Sequence, residues 1–317
     1  MMLVVLSLVV LAAAVLGPSV VRRLRASPDW RRYGAKTGGW ALITGASEGI
    51  GKAFAEALAK RGFNVIVAAR SRDKLTAISE DIGKRFGVET LVVPIDASQE
   101  DAANVLYEKI KHLSVRILVN NVGVTSYPPV EIAEMELGDI KNMIQINCTF
   151  TTQLTSLVVR GMKTLKKPCG VMMLSSFSAR APVPLLSVYA ATKAFDDHLG
   201  VSLAVELEPY GITVSSFTPS FIATSMSGTK RTSTTVISPE QFVRDALAQF
   251  GGAYSFSPHL VQELMLIATT KILPQSFVGA QARAATILSR KKILKKQATA
   301  KGWSSAFLSL SDEHLAN

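Results

Sequence analysis

Tyr189 and Lys193 are the residues of this chain best suited to proton transfer by their types and spacing. They stand at positions i and i+4 of a segment with helical periodicity, so their side chains share one helix face. An ammonium group near a phenol stabilises the phenolate and lowers the pKa of a tyrosine from its usual value of about 10. Such a phenol can give its proton to a carbonyl oxygen or accept one from an alcohol. A surface helix can carry the same pair by chance, so other residues must support this interpretation.

Two further polar residues can complete an acid–base site. Ser176 lies 13 residues before Tyr189, directly after a predicted strand, where its hydroxyl can hold a substrate oxygen. Its alternative role is that of a helix-cap or turn serine, which Ser175 or Ser178 would serve equally well. Asn147 lies inside a predicted helix, where asparagine is not a preferred residue. Its amide can bind a water molecule that relays protons to Lys193.

Three glycines with the spacing Gly-x-x-x-Gly-x-Gly follow the first predicted strand, at Gly45, Gly49 and Gly51. Gly45 permits a tight turn, Gly49 lets the backbone approach a pyrophosphate, and Gly51 allows close helix packing. The phosphates would lie at the helix N-terminus, where free N–H groups and the helix dipole favour negative charge. A purely structural turn is the alternative, but the position between a strand and a helix favours a dinucleotide.

The residue after the second predicted strand bears on the choice of cofactor. A cofactor without a ribose 2′-phosphate usually calls for an acidic residue about 20 residues past the glycines. Arg70 stands there instead, 19 residues after Gly51, and a guanidinium can pair with a 2′-phosphate. The sequence therefore favours NADPH over NADH, with an ordinary exposed arginine as the alternative.

Strands and helices that alternate along the chain must position these residues. Short apolar runs predict strands at Trp40–Ile43, Phe63–Ala69, Thr90–Ile95, Val115–Val119, Val171–Ser175 and Thr213–Thr218. Helical periodicity lies between them, at Lys52–Lys60, Asp73–Arg85, Gln99–Lys111, Glu136–Lys163 and Val188–Leu207. Strands that are apolar on both faces and alternate with helices predict an α/β doubly wound parallel sheet, a Rossmann fold. Ligands of such sheets bind at the carboxyl ends of the strands.

The first residues of the chain predict a transmembrane helix. No charged residue occurs from Met1 to Val21, and about 20 apolar residues suffice to span a bilayer. A cleaved signal peptide is the alternative, but the positive segment that should precede its apolar run is missing. Arginines follow the run instead, which places the bulk of the chain in the cytosol. We therefore predict an anchor at 1–21, a basic juxtamembrane linker at 22–39, a catalytic domain at 40–282 and a basic tail at 283–317. In a eukaryote, the location would be the endoplasmic reticulum membrane.

The net charge of +11 is concentrated near the two ends of the chain. One stretch carries Arg22, Arg23, Arg25, Arg31, Arg32 and Lys36, and the other carries Lys271, Arg283, Arg290, Lys291, Lys292, Lys295, Lys296 and Lys301. These stretches can meet anionic headgroups or a polyanionic substrate, or they can be solvated. No nucleic-acid motif accompanies them, so a nucleic-acid partner is disfavoured. Cys148 and Cys169 have neither a disulfide framework nor metal-ligand spacing, so no metal site is predicted.

Taken in order, these motifs resemble those of the classical short-chain dehydrogenase/reductase family over roughly 40–226. The family pattern is present as Thr44–Gly51, as Asn-Asn-x-Gly at 120–123, and as Asn147, Ser176 and the Tyr189–Lys193 pair. The resemblance implies that Ser176 orients the substrate and that Tyr189 is the acid–base group. It also implies that Lys193 supports Tyr189 and bonds the nicotinamide ribose, while Asn147 holds a relay water.

The same resemblance implies a set of cofactor-binding residues. They are Gly45, Ser47, Gly49, Ile50, Gly51, Arg70, Asp96, Asn121, Gly123, Tyr189, Lys193, Pro219 and Thr224. Asp96 would bond the adenine amino group, and the segment from Pro219 to Thr224 would contact the nicotinamide carboxamide. The family's usual Pro-Gly reads Pro219–Ser220 here, so the local loop geometry departs from the pattern.

Several details resemble one branch of this family more than the others. They are the N-terminal anchor, the Asn-Asn-Val-Gly at 120–123 and the run Pro182–Leu186 before Tyr189. This branch contains the very-long-chain 3-oxoacyl-CoA reductases of microsomal fatty-acid elongation and the 17-beta-hydroxysteroid dehydrogenases. The resemblance implies a lipid-like ketone as substrate, the membrane as a partner, and a second copy or elongase proteins as further possible partners.

We therefore expect a membrane-anchored, NADPH-dependent reductase of a 3-oxoacyl-CoA. The basic C-terminal stretch favours an acyl-CoA, because it can attract the phosphates of coenzyme A. A 17-beta-hydroxysteroid dehydrogenase acting on a ketosteroid is the alternative, and a catalytically idle, nucleotide-binding assembly subunit is a third. The apolar segment Pro258–Phe277 can line a lipid tunnel, lie on the membrane surface or form an ordinary core helix.

Overall fold

In the part of the chain that the structure describes, seven parallel strands form one sheet. This computed structural model describes residue 14 and residues 16–229 and 231–300. The strands are β1 (Trp40–Thr44), β2 (Asn64–Ala69), β3 (Thr90–Pro94), β4 (Val115–Asn120), β5 (Cys169–Leu174), β6 (Ile212–Phe217) and β7 (Ser255–Phe256). Their order is β3-β2-β1-β4-β5-β6-β7, which reverses direction between β1 and β4. The predicted doubly wound parallel sheet is confirmed, and ligands of such sheets bind at this switch point.

Helices cover both faces of the sheet. They are α1 (Gly49–Ala59), α2 (Arg72–Phe86), α3 (Ala102–Ile110), α4 (Leu137–Ile144), α5 (Thr151–Leu165), α6 (Ser187–Leu207), α7 (Pro239–Gln249), α8 (Leu260–Ile267) and α9 (Gln275–Ala300). Residues of α1, α2 and α7 form the core on one face, and residues of α3, α5 and α6 form the core on the other. Along β1, Ile43 points to the first core and Leu42 to the second. The strands are therefore apolar on both faces, which explains their uninterrupted apolar runs.

Several elements differ from the sequence prediction, among them the helices α7 and α9, which were not predicted. The helix predicted over Glu136–Lys163 is divided into α4 and α5 by a π-helical segment, Gln145–Phe150. The strand β7 was not predicted, because its pairing with β6 involves only Ser255 and Phe256. So short an apolar run has no period that could separate it from a loop.

Most of the predicted transmembrane anchor lies outside the described residues. Among those that are described, no helix has both the length and the apolar character needed to cross a membrane. Residues 16–24 are helical, and Ser19, Arg22 and Arg23 bond to α8. At the other end, α9 runs without a break through position 282, where the basic tail was predicted to begin.

A buried charge cluster joins the N-terminal helical segment to α8. Both oxygens of the Glu263 carboxylate are used: Arg22 pairs with one, while Arg23 and the hydroxyl of Ser19 each lie 2.6 Å from the other. Arg22 also donates to the side-chain oxygen of Gln249 at 3.0 Å. The expectation that the basic linker faces lipid headgroups therefore does not hold for Arg22, which is only 6% exposed.

We expect Glu263→Gln to lower the free energy of unfolding by roughly 3 kcal/mol or more, because it leaves buried arginine charge without a counter-ion. Denaturant unfolding of the full chain in detergent measures the change. Glu108→Gln is the matched control, since it breaks an exposed ion pair with Lys111 and should change stability by less than about 1 kcal/mol. Equal effects of the two variants would show that the cluster at Glu263 does not stabilise the fold.

Candidate active site

The glycine-rich turn connects β1 to α1 and leaves no room for side chains. Gly45 has a φ of +64°, and a Cβ at Gly51 would lie 2.2 Å from the carbonyl oxygen of Gly45. The first turn of α1 carries no acidic residue, and Glu48, which precedes the helix, does not cap it through its side chain. The N–H groups that begin α1 are therefore open to a ligand, as a cofactor pyrophosphate requires. The half-buried Ser47 and Ile50 lie in the same turn.

The side chain of Asn121 fastens this turn to the end of β4. Its amide donates to the carbonyl oxygens of Thr44 at 2.9 Å and Gly45 at 3.2 Å. In return, the Thr44 hydroxyl accepts hydrogen bonds from the backbone N–H groups of Asn121 and Val122, at 3.0 and 3.1 Å. Asn121, predicted to line the cofactor, thus has a structural task here that the sequence did not reveal.

The predicted adenosine-binding residues follow two neighbouring strands. Arg70 is the exposed residue directly after β2, and Asp96 is half-buried two residues after β3. Because β2 and β3 run parallel and pair Ala69 with Pro94, both residues lie at the carboxyl edge of the sheet. The carboxylate of Asp96 accepts a hydrogen bond from the backbone N–H of Ser98 at 3.1 Å.

Asn147 lies at the centre of the π-helical segment and is completely buried. Its Oδ1 accepts from the backbone N–H of Val124 at 2.8 Å, and its Nδ2 donates to the Val124 carbonyl at 3.0 Å and to Thr192 Oγ1 at 2.9 Å. Both amide hydrogens are thereby used. A relay water at this residue must therefore donate to the remaining lone pair of Oδ1 or to a backbone carbonyl. Irregular turns of this kind are frequent at functional sites.

Lys193 is buried at the carboxyl ends of β4 and β5. Its Nζ donates to the carbonyl oxygen of Leu174, the last residue of β5, at 2.7 Å and to Asp196 Oδ2 at 2.9 Å. A Cβ at Gly123 would lie 3.3 Å from Nζ, so the loop after β4 passes directly over the ammonium group. The half-buried Tyr189 stands one turn earlier on α6.

The charges around Lys193 outweigh the effect of its burial. Burial alone would lower the pKa of Lys193, but the carboxylate of Asp196, with contributions from Tyr189 and Cys148, raises the pKa above its ordinary value. Burial likewise raises the pKa of Asp196, although the Lys193 charge opposes this. Burial also raises the pKa of Cys148 to about 11. The thiol is thus protonated at neutral pH, and the site contains a cation without a reactive thiolate.

Of the three serines near the end of β5, Ser176 alone is not buried. Ser175 is buried and donates to the Lys193 carbonyl oxygen at 2.7 Å, so it holds α6 against β5. Ser176 caps a short 3₁₀ turn, where its oxygen accepts from the backbone N–H of Ser178 at 3.2 Å. The capping alternative is therefore realised, but it leaves the hydroxyl hydrogen of Ser176 available to a substrate oxygen.

The segment after β6 closes one side of the site. The carbonyl oxygen of the buried Pro219 accepts from Phe177 N–H at 2.7 Å, which joins this segment to that of Ser176. Ser220, where the family pattern has glycine, donates its backbone N–H to Gln262 at 3.1 Å. Its φ is not positive, so glycine is not required there. The methyl group of Thr224 lies 3.1 Å from the position of a Cβ at Gly49, which places this segment against the glycine-rich turn.

Glu48 connects the same segment to the glycine-rich turn. Its carboxylate accepts from the Ser225 hydroxyl at 2.6 Å and lies 3.5 Å from Lys74 Nζ. The hydrogen bond from Ser225 lowers the pKa of Glu48. Although acidic, Glu48 thus has its carboxylate engaged by Ser225 and Lys74 and makes no hydrogen bond to the N–H groups of α1.

Several residues that shape this site were not predicted. Thr192 supports Asn147, Gln262 holds the segment after β6, and Asp196 pairs with Lys193. Only Asp196 had a signal in the sequence, since it stands at i+3 from Lys193 in the same predicted helix. Among the residues that the structure describes, no cluster of His, Cys, Asp and Glu could hold a metal ion.

Known proteins share both this sequence and this fold. Residues 39–235 match the short chain dehydrogenase family. The very-long-chain 3-oxoacyl-CoA reductase of Aspergillus clavatus is 36% identical over 285 residues, which cover 86% of this chain and 81% of the relative. The predicted family resemblance is therefore confirmed.

Two solved structures illustrate the likeness in fold. A 7beta-hydroxysteroid dehydrogenase structure superposes with a TM-score of 0.73 at 24% identity, covering 80% of this chain and 98% of the other. A short-chain dehydrogenase from Sphingobium yanoikuyae, in complex with NADPH, gives a TM-score of 0.65 at 25% identity and covers 75% of this chain and 97% of that one.

Proposed function

Because the chain belongs to the short-chain dehydrogenase family, we propose that it is an NADPH-dependent reductase of fatty-acid elongation. Its substrate is a 3-oxoacyl-CoA, and its product is the 3-hydroxyacyl-CoA. The observation that carries this proposal is the similarity, across 86% of the chain, to a very-long-chain 3-oxoacyl-CoA reductase. Enzymes of this family interconvert C=O and CH–OH groups, and a phenol beside a buried ammonium group suits that chemistry.

The residues at the carboxyl edge of the sheet have separate roles in the proposed carbonyl reduction. A bound nicotinamide cofactor supplies the hydride. The hydroxyl of Ser176 donates a hydrogen bond to the carbonyl oxygen, and Tyr189 gives that oxygen its proton. The ammonium group of Lys193 stabilises the negative charge left on the phenol oxygen. Water held at Asn147 then returns a proton towards Tyr189 through Lys193.

The charges near the end of β2 support NADPH as the cofactor. Arg70 is exposed and has no ion pair among the described residues, so its guanidinium is available to a 2′-phosphate. Arg72 begins α2 two residues later, and no acidic residue stands in between. A 2′-phosphate would meet two cations there, whereas the ribose 2′-hydroxyl of NADH lacks the acidic partner that it usually has.

Two surfaces favour an acyl-CoA over a steroid. The helix α9 carries the exposed Arg283, Lys292 and Lys296, which can attract the phosphates of coenzyme A. The segment Pro258–Phe277, whose last residues begin α9, buries Gln262, Glu263 and Leu266 but leaves Leu260, Leu264, Ile272 and Phe277 exposed. An exposed apolar face of this kind suits contact with acyl chains or a bilayer. A 17-ketosteroid is the second candidate substrate, because the motifs also resemble those of the 17-beta-hydroxysteroid dehydrogenases in this branch.

We expect purified full-length chain to oxidise NADPH with a 3-oxoacyl-CoA at a higher kcat/KM than with a 17-ketosteroid. Tyr189→Phe should lower kcat by roughly 10²-fold or more, because the acid is lost, and leave NADPH binding unchanged. A preference for the steroid would establish the second candidate. NADPH binding without reduction of either ketone would indicate an idle assembly subunit, and equal loss of binding and rate in the variant would contradict the role of Tyr189.

Reversing the charge at residue 70 tests the preference for NADPH over NADH. Arg70→Asp should shift the ratio of kcat/KM for NADPH over NADH towards NADH by roughly tenfold to a hundredfold, since a charge-assisted contact is replaced by repulsion. Lys111→Asp is the control, because this exposed cation precedes β4 and lies at the opposite edge of the sheet. An unchanged ratio in Arg70→Asp would refute the pairing with the 2′-phosphate.

The proposed location is the endoplasmic reticulum membrane, with the catalytic domain in the cytosol. The uncharged run of residues 1–21, followed by arginines, supports it. We expect deletion of 1–18 to move the protein from the membrane pellet to the supernatant, as followed by fractionation and carbonate extraction. If the shortened chain stays in the pellet, the exposed apolar face of Pro258–Phe277 must bind the membrane instead.

A further inference from the structure

The carboxylate that pairs with Lys193 is not explained by the stability of the fold. Both side chains of the pair are almost completely buried, at 6% and 4% exposure. Asp196 Oδ1 has no hydrogen-bond partner among the described residues, so only one of the two carboxylate oxygens is satisfied. Burying an ion pair with an unsatisfied oxygen costs more free energy than well-packed apolar side chains would. An ionisable pair in such a place points to a role in function.

The pairing with Asp196 leaves one hydrogen of the Lys193 ammonium group available to a ligand. An ammonium group has three hydrogens to donate. One goes to the carbonyl oxygen of Leu174 and one to Asp196 Oδ2. The third is left for a ligand beside Gly123, where the loop after β4 passes over Nζ. Asp196 therefore fixes the direction of the ammonium group without using its last donor.

A buried ammonium group also needs an anion nearby to remain charged. The titratable groups that act on Lys193 are Asp196 and Tyr189 on α6 and Cys148 on the π-helical segment. The phenol is neutral while it serves as the acid, and the thiol, with a pKa of about 11, is neutral as well. The adjacent Asp197 is occupied elsewhere, because its carboxylate pairs with Arg180 at 2.7 Å and accepts from Ser216 and Ser255. Asp196 is the remaining anion.

We propose that Asp196 is a positioning residue, which aims the buried Lys193 ammonium group at the ligand and keeps it charged over the working pH range. This inference rests on the proposed function, because it assigns Asp196 to the Tyr189–Lys193 pair of that reaction. Asp196 itself touches neither substrate nor cofactor. It acts through Lys193 alone.

The test compares Asp196→Asn with the wild type in two pH titrations. The first measures the affinity for NADPH by quenching of tryptophan fluorescence and needs no carbonyl substrate. The second measures kcat for ketone reduction. Without the carboxylate, burial of Lys193 is no longer opposed, so the ammonium group loses its proton at lower pH. In both profiles, we expect the midpoint of the alkaline decrease to lie about one to two pH units below the wild-type midpoint.

Two further variants separate this role from a structural one. Asp196→Glu keeps the charge and should return both alkaline limbs towards wild type. Asp81→Asn removes an exposed carboxylate from its pair with Arg85 and should leave both profiles unchanged. The proposal would be overturned if Asp196→Asn kept the alkaline midpoints of the wild type. It would also be overturned if affinity and kcat fell by the same factor at every pH. If the wild type binds NADPH but reduces no ketone, the proposed function fails, while the binding titration still decides the role of Asp196.

Discussion

A positive charge buried where the parallel strands end is the constraint on which this structure depends. The Lys193 ammonium group lies between the last carbonyl of β5, the loop after β4 and its own helix, so three elements must meet at one point. The parallel sheet makes this meeting possible, because all of its strands end at the same edge. The sheet also brings the glycine-rich turn, Ser176 and Asn147 to that edge, although 103 residues separate Thr44 from Asn147 along the chain.

The sequence allowed the architecture and the main site residues to be anticipated because their signals are local. Apolar runs mark the buried strands, and a glycine such as Gly51 is required wherever a Cβ would collide with backbone. The spacing of Tyr189 and Lys193 places both side chains on one helix face before any tertiary contact is known. The apolar runs, the glycine positions and the spacing of Tyr189 and Lys193 each depend on a few neighbouring residues, so they can be recognised without knowledge of the tertiary structure.

The parts that escaped prediction depend on contacts between distant segments. The π-helical turn at Asn147 is stabilised by hydrogen bonds to the backbone of Val124 and to the hydroxyl of Thr192. Both groups come close to Asn147 only when the chain folds. The pairing of Arg22 with Glu263 joins residues 241 positions apart, and in sequence both look like ordinary surface charges. Asp196 was within reach of prediction, but nothing in the sequence shows that its carboxylate is buried rather than solvated.

The cluster around Glu263 has a mechanical consequence for the first helical residues of the described chain. Ser19 and Arg22 are both bonded to Glu263 of α8, so the helical segment at 16–24 joins the domain without a flexible linker. The segment and α8 therefore move together, and a displacement of one is transmitted to the other. Inserting flexible residues after position 24 would not release this coupling, because the bonds to Glu263 lie within the helical segment itself, whereas removing the Glu263 carboxylate would.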